Sequence, residues 1–160
     1  MNRLFLITGG NVGNRKNNLE KAADLIEKNI GKIIQSSSIY ETEAWGNIGQ
    51  PAFYNQVHIV ETKLLAIKVM EDILQIEKEM GRIRTIKNAA RIIDIDILFY
   101  NNEIINLPGL IVPHTEISNR RFVLLPLDEL AADFIHPVLQ KNIHDLLAVC
   151  KDMLKVTRIK

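Results

Sequence analysis

Residues 91–99 read Arg-Ile-Ile-Asp-Ile-Asp-Ile-Leu-Phe and contain the clearest strand pattern of the chain. Alternate side chains of a β-strand point to opposite faces, so Asp94 and Asp96 share one face and the isoleucines beside them share the other. The isoleucines indicate a face that is buried against a core. The spacing of the two aspartates places their α-carbons roughly 6.5–7 Å apart. The pattern predicts a strand over 92–100 with two acids on its open face.

Two neighbouring carboxylates suit a hard divalent cation. Mg²⁺ in particular takes one or two protein carboxylates together with substrate phosphates. Two ions about 3.5–4 Å apart, bridged by such a pair, would stabilise a phosphoryl transfer from both sides. Asp94 and Asp96 are therefore candidate metal ligands and catalytic residues. The alternative interpretation is an exposed strand face that carries two unrelated acids.

A basic segment precedes this strand. Within ten residues it places four cations, Arg82, Arg84, Lys87 and Arg91. Arginine binds phosphate oxygens bidentately, and arginine combined with a metal ion commonly stabilises the charge in phosphoryl transfer. Such a run alone is compatible with a solvated surface loop. Beside the acid pair it indicates a polyphosphate site, although the chain lacks the Walker sequence G-x-x-x-x-G-K-[ST].

Further candidate side chains lie in two other parts of the chain. His114 follows Pro113, which restricts the backbone before it, and Arg120 adds another cation downstream. Flat apolar rings together with hydrogen-bonding groups would hold a planar heterocycle. Groups of these two kinds are offered by Thr42, Trp45, Phe53, Asn55 and Phe122. Taken alone, the histidine is compatible with a structural role and the aromatic residues with an ordinary core.

Hydrophobic periodicity predicts the fold around these candidates. Besides 92–100, strands are expected over 4–8, 32–42 and 53–61, and helices over 19–30 and 66–80 that stop at Gly31 and Gly81. Mostly short helices are expected after residue 106. The order β-α-β-β-α-β matches an α+β, ferredoxin-like split βαβ arrangement, with a mainly antiparallel sheet and helices packed on one of its faces.

Composition narrows the class of protein. The chain has 160 residues, of which 47% are hydrophobic and 24% charged, as in ordinary globular proteins. Its 20 basic and 19 acidic side chains argue against a protein that coats nucleic acid or an anionic membrane. The single cysteine, Cys150, excludes an intrachain disulfide. The apolar run over 4–7 is too short for a signal peptide or a membrane span.

From these observations we expect a single domain over 1–160 that works in the cytoplasm. No nucleic-acid or membrane partner is predicted. The sequence leaves the oligomeric state open, and a monomer is compatible with it.

Seven segments of the chain carry a further pattern. They are Ile7–Asn11, Ser37–Gly46, Gln50–Asn55, Glu77 with Gly81–Arg84, Lys87–Leu98, Val112–His114 and Asn119–Phe122. In this order they resemble the 6-hydroxymethyl-7,8-dihydropterin pyrophosphokinase family of folate biosynthesis. The resemblance implies a ferredoxin-like fold that binds MgATP first and the pterin second. It also implies transfer of the β,γ-pyrophosphoryl group to the pterin hydroxymethyl oxygen, with release of AMP.

The same resemblance implies roles for individual residues. Asp94 and Asp96 would bind two Mg²⁺ ions that bridge the ATP phosphates, with Asp94 also near the pterin hydroxyl. The pterin would be held by Thr42, Trp45 (through its backbone), Phe53, Asn55, Asp94 and Phe122. The ATP-binding set would be Glu77, Arg84, Arg91, Ile97, Ile111, His114 and Arg120, with the two isoleucines acting through backbone groups. Arg82 and Arg91 would act in catalysis from a loop that closes over the substrates.

Two alternatives stay open at this point. A ferredoxin-like sheet can stack RNA bases, but that needs an aromatic-rich central strand and a basic face, whereas strand 92–100 presents two acids. A non-catalytic relative that binds a pterin or a nucleotide is the second alternative. For an enzyme we expect direct in-line attack of the pterin hydroxyl on the β-phosphorus, because no cysteine or serine beside a base offers a nucleophile.

Overall fold

The first part of the chain alternates strands and helices, as the periodicity predicts. A computed structural model describes residues 1–44, 49–82 and 90–159. The elements of this part are β1 (Asn2–Gly10), α1 (Arg15–Asn29), β2 (Lys32–Ser36), β3 (Tyr40–Thr42), β4 (Phe53–Thr62), α2 (Ala66–Glu79) and β5 (Asp94–Tyr100). Helix α1 begins after Asn14, whose side chain accepts a hydrogen bond from Asn17 N. The predicted elements are found with ends shifted by a few residues, apart from the strand over 32–42.

The second part of the chain is less regular. It contains β6 (Ile105–Leu107), β7 (Leu110–Val112), a 3-10 helix (Ile117–Asn119), α3 (Arg121–Ala131), α4 (Ile143–Val149) and β8 (Val156–Arg158). Strands β6 and β7 form a separate antiparallel hairpin. The peptide bond between Val112 and Pro113 is cis. Among the helices of the described ranges, none combines the length and the apolar character that a membrane crossing requires.

The main sheet is antiparallel and confirms the predicted ferredoxin-like arrangement. Its strand order is β5-β1-β4-β3-β8, and β2 also pairs with β4, next to β3. Every described pairing is antiparallel. Strand β1 therefore lies between β5 and β4. The acids predicted on β5 are next to β1, and β1 separates them from β4.

The prediction of one strand over 32–42 was wrong, because this segment forms two strands. The serines of this segment form hydrogen bonds that replace part of the regular backbone pairing of a strand. Ser37 Oγ accepts a hydrogen bond from Val57 N at 3.0 Å, in place of a backbone carbonyl. Ser38 donates from both N and Oγ to Glu129 on α3. Side-chain hydrogen bonds of this kind compete with the regular ladder and end β2 before β3 begins.

Helices cover both faces of the sheet, so the prediction that they lie on one face holds only for α1 and α2. These two helices enclose a core with Leu4, Leu6, Val60, Ile93, Ile95 and Ile97. Helices α3 and α4 pack on the opposite face, against Phe5, Ile7, Val57, Ile59, Leu98 and Phe99. The alternation of β5 thus places its isoleucines towards α1 and α2, as predicted, and its aspartates on the face of α3 and α4.

His58 is buried within β4 without full hydrogen bonding. Its side chain is 1% exposed, and its Nδ1 is hydrogen-bonded to Ser36 Oγ at 2.7 Å. Its Nε2 has no hydrogen-bond partner in the described part of the chain. Burial lowers the pKa of His58 from 6.5 to about 4. The fold therefore holds this imidazole in its neutral form.

The neutral His58 predicts a specific loss of stability in acid. Between pH 6.5 and about 4, His58 is protonated in the unfolded chain but remains neutral in the folded chain. Stability is therefore complete above pH 6.5 and falls as the pH drops through this window, by roughly 3 kcal/mol in total. His58→Asn keeps a polar atom opposite Ser36 but cannot titrate. Urea unfolding at stepped pH should show the wild type losing stability relative to this variant, and a difference that stays constant with pH would contradict the prediction.

Candidate active site

A cavity of about 370 Å³ opens at the end of the sheet where β1, β4 and β5 meet. Gly9 of β1 lies in its floor and is paired with Asn55 of β4 on one side and Asp94 of β5 on the other. Directly opposed residues point to the same face, and the α-carbons of Asn55 and Asp94 are about 10 Å apart across the three strands. A β-carbon on Gly9 would lie 2.1 Å from Asn55 Oδ1. The absence of a side chain at Gly9 therefore lets the Asn55 amide lie against β1.

The end of helix α2 delivers Arg82 to the acid pair. Gly81, with a φ of +88°, lets the chain turn so that Gly81 N donates to Lys78 O and Arg82 N to Glu77 O, both at 3.0 Å. Arg82 Nη1 then donates to Glu77 Oε2 at 2.9 Å and also to Asp94 Oδ1. Asp94 accepts a second ion pair, from Arg91 Nη1 to Oδ2 at 3.0 Å. Two of the predicted arginines thus meet one of the predicted metal ligands.

Glu77 lies beneath the strand and does not line the cavity. The residue is 2% exposed, and its Oε2 accepts hydrogen bonds from Ile95 N at 2.8 Å and from Arg82. One carboxylate therefore holds both the backbone between the two aspartates and the guanidinium that faces Asp94. The structure places this residue behind the acids, so its predicted role in ATP binding stays a prediction.

The negative charge of Asp96 is poorly compensated. Burial raises the pKa of Asp96 to about 7, and the carboxylates of Asp94 and Glu77 act in the same direction, against Arg82 and Arg120. Asp96 forms no ion pair within the described residues. A cation placed between Asp94 and Asp96 would relieve this repulsion. The chemistry of the donor pair therefore fits a magnesium ion.

His114 is held in its neutral form beside these charges. Burial lowers the pKa of His114, and the nearby Arg120 lowers it further. The backbone N of Glu116 donates to His114 Nδ1 at 3.1 Å, so the ring proton lies on Nε2. The ring can therefore donate one hydrogen bond to an anionic ligand in the cavity.

Aromatic and polar side chains line another part of the cavity. Phe53 and Phe122 are half-buried, and the guanidinium carbons of Arg91 and Arg120 lie 5.8 Å from their respective ring centres. Thr42, 3% exposed, also lines the cavity, and its hydroxyl has no hydrogen-bond partner among the described residues. A buried hydroxyl without a partner is costly unless a ligand satisfies it. This part of the cavity suits a flat heterocycle with polar edges.

The structure brings together nine of the predicted site residues around the cavity: Thr42, Phe53, Asn55, Arg91, Asp94, Asp96, His114, Arg120 and Phe122. Arg82 and Glu77 support them from behind. The side chain of Ile97 is buried in the core next to α2, and that of Ile111 is 54% exposed on β7, so neither side chain lines the cavity. Trp45 and Arg84 lie outside the described residues.

Several lining residues were not predicted as site residues. They are Ile7, Thr8, Gly9, Glu43, Leu98, Glu116, Asn119, Val123, Asp152 and Leu154. Gly9 belongs to a Gly-Gly pair at a strand end, which the sequence indicates only as a turn. Asp152 accepts a hydrogen bond from Arg121 N at 3.0 Å at the start of α3, and no local pattern predicts a contact of this range.

The donor set for a metal is small. Within 1–44, 49–82 and 90–159, no group of three or more histidine, cysteine, aspartate or glutamate side chains is arranged to hold an ion. Two carboxylates are sufficient for Mg²⁺ when phosphate oxygens and water complete its shell. The residues therefore fit an ion that arrives with a polyphosphate.

Comparison with known proteins identifies the same family as the sequence motifs. Residues 5–132 match the family model described as 7,8-dihydro-6-hydroxymethylpterin-pyrophosphokinase. A 2-amino-4-hydroxy-6-hydroxymethyldihydropteridine pyrophosphokinase of Aquifex aeolicus is 37% identical over 145 residues, covering 91% of this chain and 90% of the relative. The enzyme of that name from Haemophilus influenzae is 34% identical over 134 residues, covering 83% and 84%.

Longer proteins also match. A folic acid synthesis protein of Dictyostelium discoideum is 40% identical over 139 residues, which are 86% of this chain but 21% of the relative. The chain thus spans about a fifth of the length of such relatives. The crystal structure of wild-type Plasmodium falciparum HPPK-DHPS with pteroate, 21% identical, superposes with a TM-score of 0.74 over 92% of this chain and 44% of that one, which supports the fold. The chain belongs to the 7,8-dihydro-6-hydroxymethylpterin-pyrophosphokinase family.

Proposed function

We propose that this chain transfers the β,γ-pyrophosphoryl group of ATP to the hydroxymethyl oxygen of 6-hydroxymethyl-7,8-dihydropterin and releases AMP. The family uses ATP and this pterin as its substrates. The observation that carries the proposal is the lining of the cavity, where a half-buried acid pair with arginines is separated by Gly9 from the hydroxyl of Thr42, which has no partner among the described residues, and from the amide of Asn55. The acids and arginines suit a metal-bound polyphosphate, and the hydroxyl and amide suit the edge of a pterin ring.

Magnesium is implied because the family uses ATP, and we propose two ions held by Asp94 and Asp96. When bound, the ions would neutralise phosphate charge and orient the polyphosphate oxygens. In the structure, Arg82 and Arg91 already contact Asp94, so these guanidinium groups lie where phosphate oxygens would arrive. The neutral ring of His114 and the cation of Arg120 would bind the same phosphate chain.

The transfer we propose is a direct displacement. The pterin hydroxyl oxygen bonds to the β-phosphorus and loses its proton, which is released to solvent, as the bond from that phosphorus to the α,β-bridging oxygen breaks, so AMP leaves with this bond's electron pair. The residues of the chain align the two reactants, stabilise the developing charge and exclude water. Asn55 and Thr42 would hold the edge of the pterin while Phe53 and Phe122 contact its faces.

The other interpretations have less support. Both faces of the sheet carry helices, so a sheet surface on which RNA bases could stack is covered. A non-catalytic relative would retain the pterin-binding side chains without needing the acid pair. The predicted lack of nucleic-acid and membrane partners, the cytoplasmic location and the single domain over 1–160 stay predictions.

The first prediction concerns the products. We expect AMP to form from ATP only when Mg²⁺ and 6-hydroxymethyl-7,8-dihydropterin are both present, in equal amount to the pyrophosphorylated pterin. Separation of nucleotides and pterins by chromatography measures both products. Formation of ADP, or of AMP without the pterin, would show that the proposed reaction is wrong.

The second prediction concerns the acid pair. Asp94→Asn and Asp96→Asn each remove a negative charge with little change of shape, so we expect kcat to fall at least 100-fold through loss of metal binding. Asp24→Asn, the same change at an exposed position of α1, is the control and should keep wild-type turnover. A loss of less than threefold in both site variants would exclude these residues as metal ligands.

The third prediction concerns Arg91. Its guanidinium faces Asp94, and charge at the phosphates increases during transfer, so its contribution should be greater in the transition state than in the ground state. Arg91→Ala should therefore lower kcat at least 100-fold and change the dissociation constant of an ATP analogue less than fivefold. Arg3→Ala, at an exposed position of β1, serves as the control. If the affinity for the analogue falls as much as kcat does, Arg91 acts in binding alone.

A further inference from the structure

The end of β1 and the residue after it, Gly9-Gly10-Asn11, lie between the two sides of the cavity, although the sequence indicates only a turn here. Gly9 contacts the β4 side, as described above. Gly10 contacts the other side, where a β-carbon would lie 2.2 Å from Ile92 O. Because neither glycine has a side chain, the chain passes closely between the pterin-side strand and the segment that leads into β5.

Asn11 uses its amide to bind both sides at once. Its side chain is 1% exposed. Nδ2 donates to Gln50 Oε1 and to Pro51 O, both at 3.0 Å. Oδ1 accepts from Arg91 N at 2.9 Å, and the backbone N of Asn11 donates to Arg91 O at 2.9 Å. Both donors of the amide and its acceptor are therefore engaged, with two separate segments of the chain.

These two segments lead to different parts of the lining. Gln50 and Pro51 are separated by one residue from the start of β4, which carries Phe53 and Asn55. Arg91 itself lines the cavity and is followed by Asp94. A shift of the first segment would displace groups proposed to hold the pterin, and a shift of the second would displace groups proposed to hold the phosphates.

We propose that Asn11 is a positioning residue for the transfer, because its amide holds the pterin-side segment at 50–51 and the phosphate-side segment at Arg91 in a fixed relation. This inference rests on the function proposed above.

In-line transfer between two bound substrates depends on their relative placement, and an error of about 1 Å can cost on the order of 100-fold in rate. Asn11 contacts neither reacting group in this arrangement and acts through the segments that do.

The test compares Asn11→Ala with Asn18→Ala. The Asn18 amide donates to Val12 O at 2.9 Å in the adjoining turn, so its loss removes a similar hydrogen bond without touching either segment. Binding of the pterin is measured by calorimetry with saturating Mg²⁺ and the ATP analogue that has a methylene group between the α- and β-phosphorus. We expect Asn11→Ala to weaken pterin binding about tenfold and to lower kcat about tenfold, and Asn18→Ala to change each less than twofold.

A purely structural role would give a different result. It would lower the unfolding temperature and the active fraction, but the remaining folded enzyme would keep the wild-type pterin affinity, and this outcome would overturn the proposal.

Should Asn11→Ala not fold, Gln50→Leu removes one acceptor of the amide at a half-buried position, and it should weaken pterin binding about threefold with the nucleotide affinity unchanged. An unchanged pterin affinity in Gln50→Leu would then overturn it. A wild-type protein without turnover would instead contradict the proposed function.

Discussion

The site depends on keeping three carboxylates close together, of which Glu77 is buried and Asp94 and Asp96 are half-buried. Asp94, Asp96 and Glu77 surround the guanidinium of Arg82, which forms ion pairs with two of them. Arg91 also forms an ion pair with Asp94, but the neighbouring like charges still repel, and Asp96 has no ion-pair partner among the described residues. Asp96 shows the imbalance, because burial and its neighbours raise its pKa to about 7. A divalent cation bound here, as proposed above, would supply further positive charge and offset this repulsion.

The fold holds this cluster through the end of one helix and the start of one strand. The turn at Gly81 directs Arg82 back over Glu77, and Glu77 accepts a hydrogen bond from Ile95 N between the two aspartates. The buried charge of Glu77 is therefore bonded to a guanidinium and to a strand amide, which offsets its desolvation. Because the same carboxylate contacts both elements, the position of the acids on β5 and the position of Arg82 are set together.

Sequence patterns were sufficient for those parts of the fold and site that depend on local periodicity. The alternation over 92–100 predicted both the buried isoleucines and the shared face of Asp94 and Asp96, and the helical spacing predicted α1 and α2. The patterns failed where distant groups decide the outcome. The strand over 32–42 is interrupted because Ser37 bonds to Val57 on another strand. Gly9 shapes the cavity because it lacks a side chain. Hydrophobic periodicity depends on the side chains that are present, so it does not predict this role of a glycine.

The cavity wall formed by Thr42, Phe122, Asp152 and Leu154 shows why the sequence motifs indicate the chemistry of the site more clearly than its shape. The family model covers residues 5–132, whereas Asp152 and Leu154 line the same cavity from the last segment of the chain. Asp152 bonds to the first amide of α3, next to Phe122, and β8 pairs with β3 so that Val156 lies opposite Thr42. Both contacts join residues separated by many positions, so their geometry follows from the folded sheet. The acid pair, in contrast, is contained within three consecutive residues, and its chemistry is therefore visible in the sequence alone.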